Sequence, residues 1–185
     1  MPLSQQFLAL ARGSYGVAAA DDILIFRRTI QEATAELAAR GIVRSGAAVA
    51  RYRELAARHV RNQYDVAQEA IVLAAEAYGG SWKRSQLAAL LDVAREMVAP
   101  NRRSIAADTG QAVRGTAVLA EDTSDDKLVP TGAGESSARM GLALFLARQE
   151  RTRSERRWQF AQWAGAAVGG ALLSNVGLWL GHFVF

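Results

Sequence analysis

The chain has 185 residues, enough for one ordinary domain with an appended segment and a buried core. Half of it is apolar and Ala dominates that half, while the β-branched and aromatic residues that mark strands are sparse, so the composition predicts an all-α fold. The absence of Cys excludes disulfides and thiolate metal sites, two histidines exclude a histidine-rich one, and a net charge of +4 alone defines neither a nucleic-acid binder nor a membrane-surface binder.

The opening, "MPLSQQFLALARGSYG", has no basic n-region and only a short apolar run, against the ~7–15 residues of a signal-peptide core. No secretory export signal is expected. In "AAADDILIFRRTIQEATAELAARG", Ile23, Phe26, Ile30, Ala33 and Leu37 recur at steps of three and four, which predicts a helix with Asp21 and Asp22 at its start. Gly41 can end it in a left-handed conformation, and "GIVRSG", with Gly46, reads as a turn between antiparallel helices. One kinked helix is the alternative.

From Ala47 onward, Val49, Tyr52, Val60, Tyr64, Ile71 and Tyr78, with Ala56, Ala67 and Ala74 between them, predict one amphipathic helix on the order of 45 Å long. "YGG" stops it and Ser81 can cap the next, whose core face is Leu87, Leu90, Leu91, Ala94, Met97 and Val98 and whose end is expected before Pro100. Beyond Asn101 the periodicity fades, and 120–136, around "EDTSDDKLVPTGAGESS", reads as a linker or exposed loop and an expected hinge. Helical character returns from Ser137 and continues into the tail. The expected organisation is therefore a helical bundle or hairpin over 1–119, the linker over 120–136, and a long C-terminal helix over 137–185.

That helix ends on "AGAAVGGALLSNVGLWLGHFVF", residues 164–185, without one formally charged side chain. As a helix at ~1.5 Å per residue it matches the ~30 Å hydrocarbon core of a bilayer. Gly165, Gly169, Gly177 and Gly181 lie on one i+4 row interrupted by Leu173, the pattern that lets helix backbones touch in lipid. Trp158, Trp163 and Trp179 are expected interfacial anchors, and Arg148, Arg151, Arg153, Arg156 and Arg157 precede the segment with no basic residue after it, which would keep the N-terminal part cytoplasmic if a host machinery inserts it. The alternative is a Gly/Ala-rich helix buried in a large protein assembly. Either reading implies a homo-oligomer.

No nucleotide-binding, metalloprotease or nucleophile-elbow motif occurs, so an enzyme is not expected, and no catalytic, cofactor-binding or metal-binding residues are assigned. His59, between arginines on the long helix, reads as a solvated or interface residue, and His182 as an interfacial one. "EDTSDD" lacks the calcium-loop spacing and reads as a solvated acidic loop. Arg51, Arg58 and Arg61, with Arg53 beside them, form a basic stripe spaced to contact phosphates or an acidic partner surface, a role open also to Arg151, Arg153, Arg156 and Arg157. Glu54, Asp65 and Glu69 interrupt it, and a solvated face with local ion pairs is the plainer reading.

Three stretches together resemble the small internal virion proteins of T7-like short-tailed bacteriophages, which are ejected ahead of the genome. They are "QEATAELAARG" leading through "GIVRSG" into the helix closing on "YGG", the Arg/Gln/Glu-rich "ARQERTRSERRWQ", and the small-residue "AGAAVGGALLSNVG". The resemblance is one of order and composition over roughly two thirds of the chain. It implies a helical protein stored in a ring-like core of the virion, then refolded into an oligomeric channel in the host envelope through which other ejection proteins and DNA pass. It implies no catalytic residues. The tail is more hydrophobic than the resemblance requires, which keeps a second reading open: a tail-anchored bacterial inner-membrane scaffold with its helical domain in the cytoplasm. A soluble DNA-binding helical protein, resting on the arginine stripe, is a third.

Overall fold

The computed structural model describes residues 3–79, 82–116, 129, 130 and 132–181, and within the last stretch the side chains of 133, 156, 157 and 160–181 lie outside that description. The described residues form four α-helices and a single 3-10 turn with no strand: α1 (Gln5–Ala39), α2 (Gly46–Tyr78), the turn at Arg84–Gln86, α3 (Leu87–Arg114) and α4 (Gly132–Gly181). The all-α expectation holds. The chain divides into two compact units, Met1–Leu146 and Ala147–Phe185.

Asp21 and Asp22 do not start the first helix, which is already capped at Ser4, whose Oγ accepts from the Phe7 N–H at 3.4 Å. Phe7, Ala11, Tyr15 and Ala19, at steps of four, extend the buried row of Phe26, Ile30, Ala33 and Leu37 toward the N-terminus. Gly13 and Gly16 fall on exposed faces beside this row, so the tertiary burial of its neighbours outweighs the ~1 kcal/mol that each glycine costs a helix.

Gly41, at φ +67°, ends α1: its N–H reaches Ala38 O at 2.9 Å and the Ile42 N–H reaches Leu37 O at 3.0 Å, the paired bonds of a Schellman motif. Ser45 then caps α2 by accepting from the Ala48 N–H at 3.4 Å. The two helices are thus antiparallel neighbours, and the kinked-helix alternative falls. Gly79, again at φ +67°, ends α2 as the "YGG" signal predicts. Ser81, the expected cap of the third helix, lies outside the described residues. Trp82 pins this end of the bundle, with its Nε1–H donating to Ala75 O at 3.1 Å and its ring centroid 4.7 Å from that of Phe7.

The third helix does not stop before Pro100. Its buried row of Leu90, Ala94, Met97 and Val98 resumes on the far side with Ile105, Ala106, Thr109, Gly110 and Val113, and Pro100 itself is on an exposed face. A proline removes one helical hydrogen bond and crowds the preceding turn, a local penalty of about 3 kcal/mol. Ile105 and Val113, buried beyond it at ~1.5–3 kcal/mol each, together match or exceed that penalty.

The last helix begins at Gly132, so residues 132–136, expected in the linker, are helical. Its first turns lie against α2: a Cβ on Gly134 would come within 2.8 Å of the Tyr64 ring and 3.1 Å of the Arg61 Cα, Ser137 Oγ donates to Asp65 at 2.9 Å, and Gly141 lies against the Gln68 side-chain end. These contacts advance together along both helices, so the start of α4, within the first unit, runs parallel to α2. Arg12–Glu96 (3.1 Å) and Arg27–Asp108 (2.9 Å) likewise advance together, making α1 parallel to α3. The first unit is therefore an up-down-up-down arrangement closed by short turns at two of its corners.

Among the described residues no helix is long and apolar enough to cross a membrane. The side chains of the expected span, 164–185, lie outside those residues.

Candidate functional site

Five polar side chains meet inside the bundle, drawn from three helices. Tyr15 and Asp22 come from α1, His59 and Gln63 from α2, Asn101 from α3, one residue after Pro100. Gln63 is at the centre: its Oε1 accepts from Tyr15 Oη at 2.5 Å and from Asn101 Nδ2 at 2.8 Å, while its Nε2 donates to Asp22 Oδ2 at 2.7 Å. Asn101 Nδ2 also reaches Tyr15 Oη at 3.1 Å, and the other Asp22 oxygen lies 3.2 Å from His59 Nδ1. His59 is buried, with its ring edge-on to Phe26 at 5.0 Å. The expectation of a solvated or interface histidine is corrected: between its arginine neighbours in sequence, its side chain turns inward to the α1 carboxylate.

The electrostatics follow from this arrangement. Burial pushes the Asp22 carboxyl up, but the hydrogen bonds from His59 and Gln63, the His59 charge and a hydrogen bond from Asn62 together outweigh it and hold the group below the ordinary carboxylate value. Burial pushes the Tyr15 phenol up to about 12, against a smaller opposing effect of Asn101. Tyr15 is therefore a neutral donor at any physiological pH. Both ends of the Gln63 amide are engaged within the cluster, whose hydrogen bonds tie α1, α2 and α3 together.

The surface of the bundle carries two concave features, the first of which shares Asp22 with the cluster. Between α1 and α2, Asp21, Asp22, Asp65 and Glu69, with Asn62, Ile25 and Val66, line an open cleft of about 410 Å³. Among the described residues no group of three or more His, Cys, Asp or Glu side chains could hold a metal ion. Between α1 and α3, an alanine-rich groove of about 560 Å³ runs from Ile30 and Thr34 to Ala38 and Ala112, and the Arg27–Asp108 pair lies along it.

The sequence-predicted residues fall elsewhere. Arg51 and Arg58 are both tied to one carboxylate, Glu54, at 3.0 Å each, and these cations hold the Glu54 carboxyl below its ordinary value. Arg61 is exposed, with its backbone at the α2–α4 contact. Arg53 is half-buried. Arg151 pairs with Glu155 at 3.0 Å, Arg153 is half-buried, and Trp158 is 68% exposed. The side chains of Arg156, Arg157, Trp163, Trp179, Gly165, Gly169, Gly177 and Gly181, and the whole of His182, lie outside the described residues.

Sequence reasoning missed Tyr15, Asp22, Gln63 and Asn101. A signal existed for one of them. His59 and Gln63 continue the steps of three and four set by Tyr52, Ala56 and Ala67, so they occupy core positions of α2, and two polar residues on a buried row require partners from a neighbouring helix.

No family model, curated protein or solved structure matches this chain.

Proposed function

We propose that the chain is a non-enzymatic, oligomeric helical protein whose folded unit carries a membrane-directed tail, in the manner of an ejected internal virion protein of a short-tailed phage. The observation that carries this reading is the single helix α4, Gly132–Gly181, which begins in the first compact unit and includes most of the charge-free segment. In a particle, neighbouring proteins would cover that segment. On ejection it would lose those neighbours, and lipid would become the better environment for its surface. Its glycine row, Gly165, Gly169, Gly177 and Gly181, would pack copies against each other to line a passage for DNA and other ejected proteins, with Trp158, Trp163 and Trp179 at the interfaces. The host envelope is then the site of action.

The one-sided arginines, Arg148 to Arg157, favour a second reading, in which the tail is a permanent inner-membrane anchor and the arginines set its orientation. Flotation with liposomes separates the two, run on the full chain beside a chain ending at Arg157, with release of a trapped dye read in the same tubes. Full-length protein is expected to float and release dye while the shortened chain does neither. Flotation without release selects the anchor, and a full chain that stays in solution removes lipid from both readings.

A further inference from the structure

The outward face of α1 carries three large apolar side chains at intervals of seven residues: Leu10 is 47% exposed, Val17 79% and Leu24 63%. A seven-residue step returns to nearly the same side of a helix, drifting by only ~20°, so the three form one stripe, which at Val17 and Leu24 lies opposite the buried Tyr15, Ala19 and Phe26. The polar contacts of α1 with its packed neighbours come from other positions: α3 is reached through Arg12 and Arg27, and α2 through Tyr15 and Asp22. The positions between are small. Gly13, Ser14 and Ala20 fill the stripe, and a Cβ on Gly13 would meet nothing within 4 Å. No charged residue lies between Arg12 and Asp21.

We infer that this stripe pairs with the same stripe of a second copy, antiparallel, about a two-fold axis at Val17. The sequence is self-complementary about that residue: Val17 meets Val17, Leu10 meets Leu24, and Ser14 meets Ala20. The charges agree with the pairing. Asp21 falls opposite Gly13 and Arg28 opposite Gln6, so no like charges meet. Glu32, joined to Arg28 at 2.9 Å, falls opposite residue 2, just ahead of the partner's α1, whose first turn holds no acidic residue and whose free N–H groups favour one. From Gln6 to Arg28 the contact runs about 33 Å at ~1.5 Å per residue. One helix pair of that length buries on the order of 1,000 Å², the lower end for a specific interface, so the dimer is a weak, concentration-dependent one. This contact is separate from the glycine row of the tail.

The chain has no cysteine, which makes disulfide trapping clean. The full chain is prepared without lipid as Val17→Cys, Leu10→Cys and Leu24→Cys, with Glu76→Cys as an exposed control, and oxidised at the same concentration. Val17→Cys is expected to give a covalent dimer at least tenfold above the control. Leu10→Cys alone should stay at control level, and a mixture of Leu10→Cys with Leu24→Cys should give the heterodimer. Strong dimer from Leu10→Cys alone would mean parallel pairing and overturn the arrangement. Control-level dimer from Val17→Cys, with helicity unchanged by circular dichroism, would mean that another partner or solvent covers the face. Repeating Val17→Cys with Gly169→Leu and Gly177→Leu keeps this test apart from the tail. A crosslink that vanished there would make the α1 contact a by-product of tail assembly and overturn it.

Discussion

Asp22 is the one carboxylate of the buried cluster, and its position sets a pH dependence with a definite sign. Its folded value lies below the ordinary 3.8, so the stabilisation it gives is complete above that value and is lost as the pH falls through the lower, folded one. Asp22→Asn replaces two acceptor oxygens by one acceptor and one amide donor, which leaves either Gln63 Nε2 or His59 poorly matched. The expected cost near neutrality is about 1–3 kcal/mol for a lost bond to a charged group and an unmatched partner. That cost should shrink as the pH is lowered from 5 toward 2, because the wild-type side chain then becomes neutral as well. Thermal unfolding of the two proteins across that range measures it, and the other carboxylates cancel because both proteins carry them. Parallel curves down to pH 2 would remove Asp22 from this role. At this scale the sequence was half legible: His59 and Gln63 stand on the period of α2, but nothing local marks Tyr15, Asp22 or Asn101 as their partners. Those three are separated from α2 by tens of residues of chain and meet it only through the register of the bundle.

Elements were easier to read where a backbone signal was written into the chain, and harder where packing overrode one. Gly41 and Gly79 both adopt the left-handed conformation that ends a helix, and both were legible. The aspartates at 21–22 and Pro100 are equally familiar boundary signals, yet α1 and α3 run through them because buried rows continue on both sides. The start of α4 carries a test of the same principle. At Gly134 a new Cβ meets the Tyr64 ring at 2.8 Å and the Arg61 backbone at 3.1 Å, neither of which can move cheaply. At Gly141 it meets only the flexible end of Gln68. Gly134→Ala is therefore expected to destabilise the first unit by about 1–3 kcal/mol through overpacking. Gly141→Ala displaces one side chain and gains the ~1 kcal/mol of helix propensity that alanine has over glycine, so it should be neutral or stabilising. Urea unfolding of the two variants decides the matter, and equal costs would mean that α4 is not seated on α2 as described.

For the whole molecule the question is how many separate contacts one chain can make with its copies. The all-α class was legible from composition, because an alanine-rich chain with few β-branched residues has little else to form. Function was not, since the cluster inside the bundle carries no recognisable motif in the sequence and the tail's role depends on what surrounds it. Two faces remain for assembly on the readings proposed above: the stripe on α1, which closes on itself about a two-fold axis and therefore stops at a dimer, and the glycine row of the tail, which can recruit further copies. Their effects on oligomer size are different and separable. In mild detergent the full chain should form assemblies larger than a dimer by sedimentation. Gly169→Leu with Gly177→Leu puts two bulky side chains into the row where backbones would touch, and should reduce those assemblies to concentration-dependent dimers. Val17→Glu, added to that pair, should leave monomers, because a charge at the centre of the α1 contact faces its own copy. Full-size assemblies from the double glycine variant would show that the glycine row is not the contact face. Dimers that survive the triple variant would place the remaining contact on a surface other than α1.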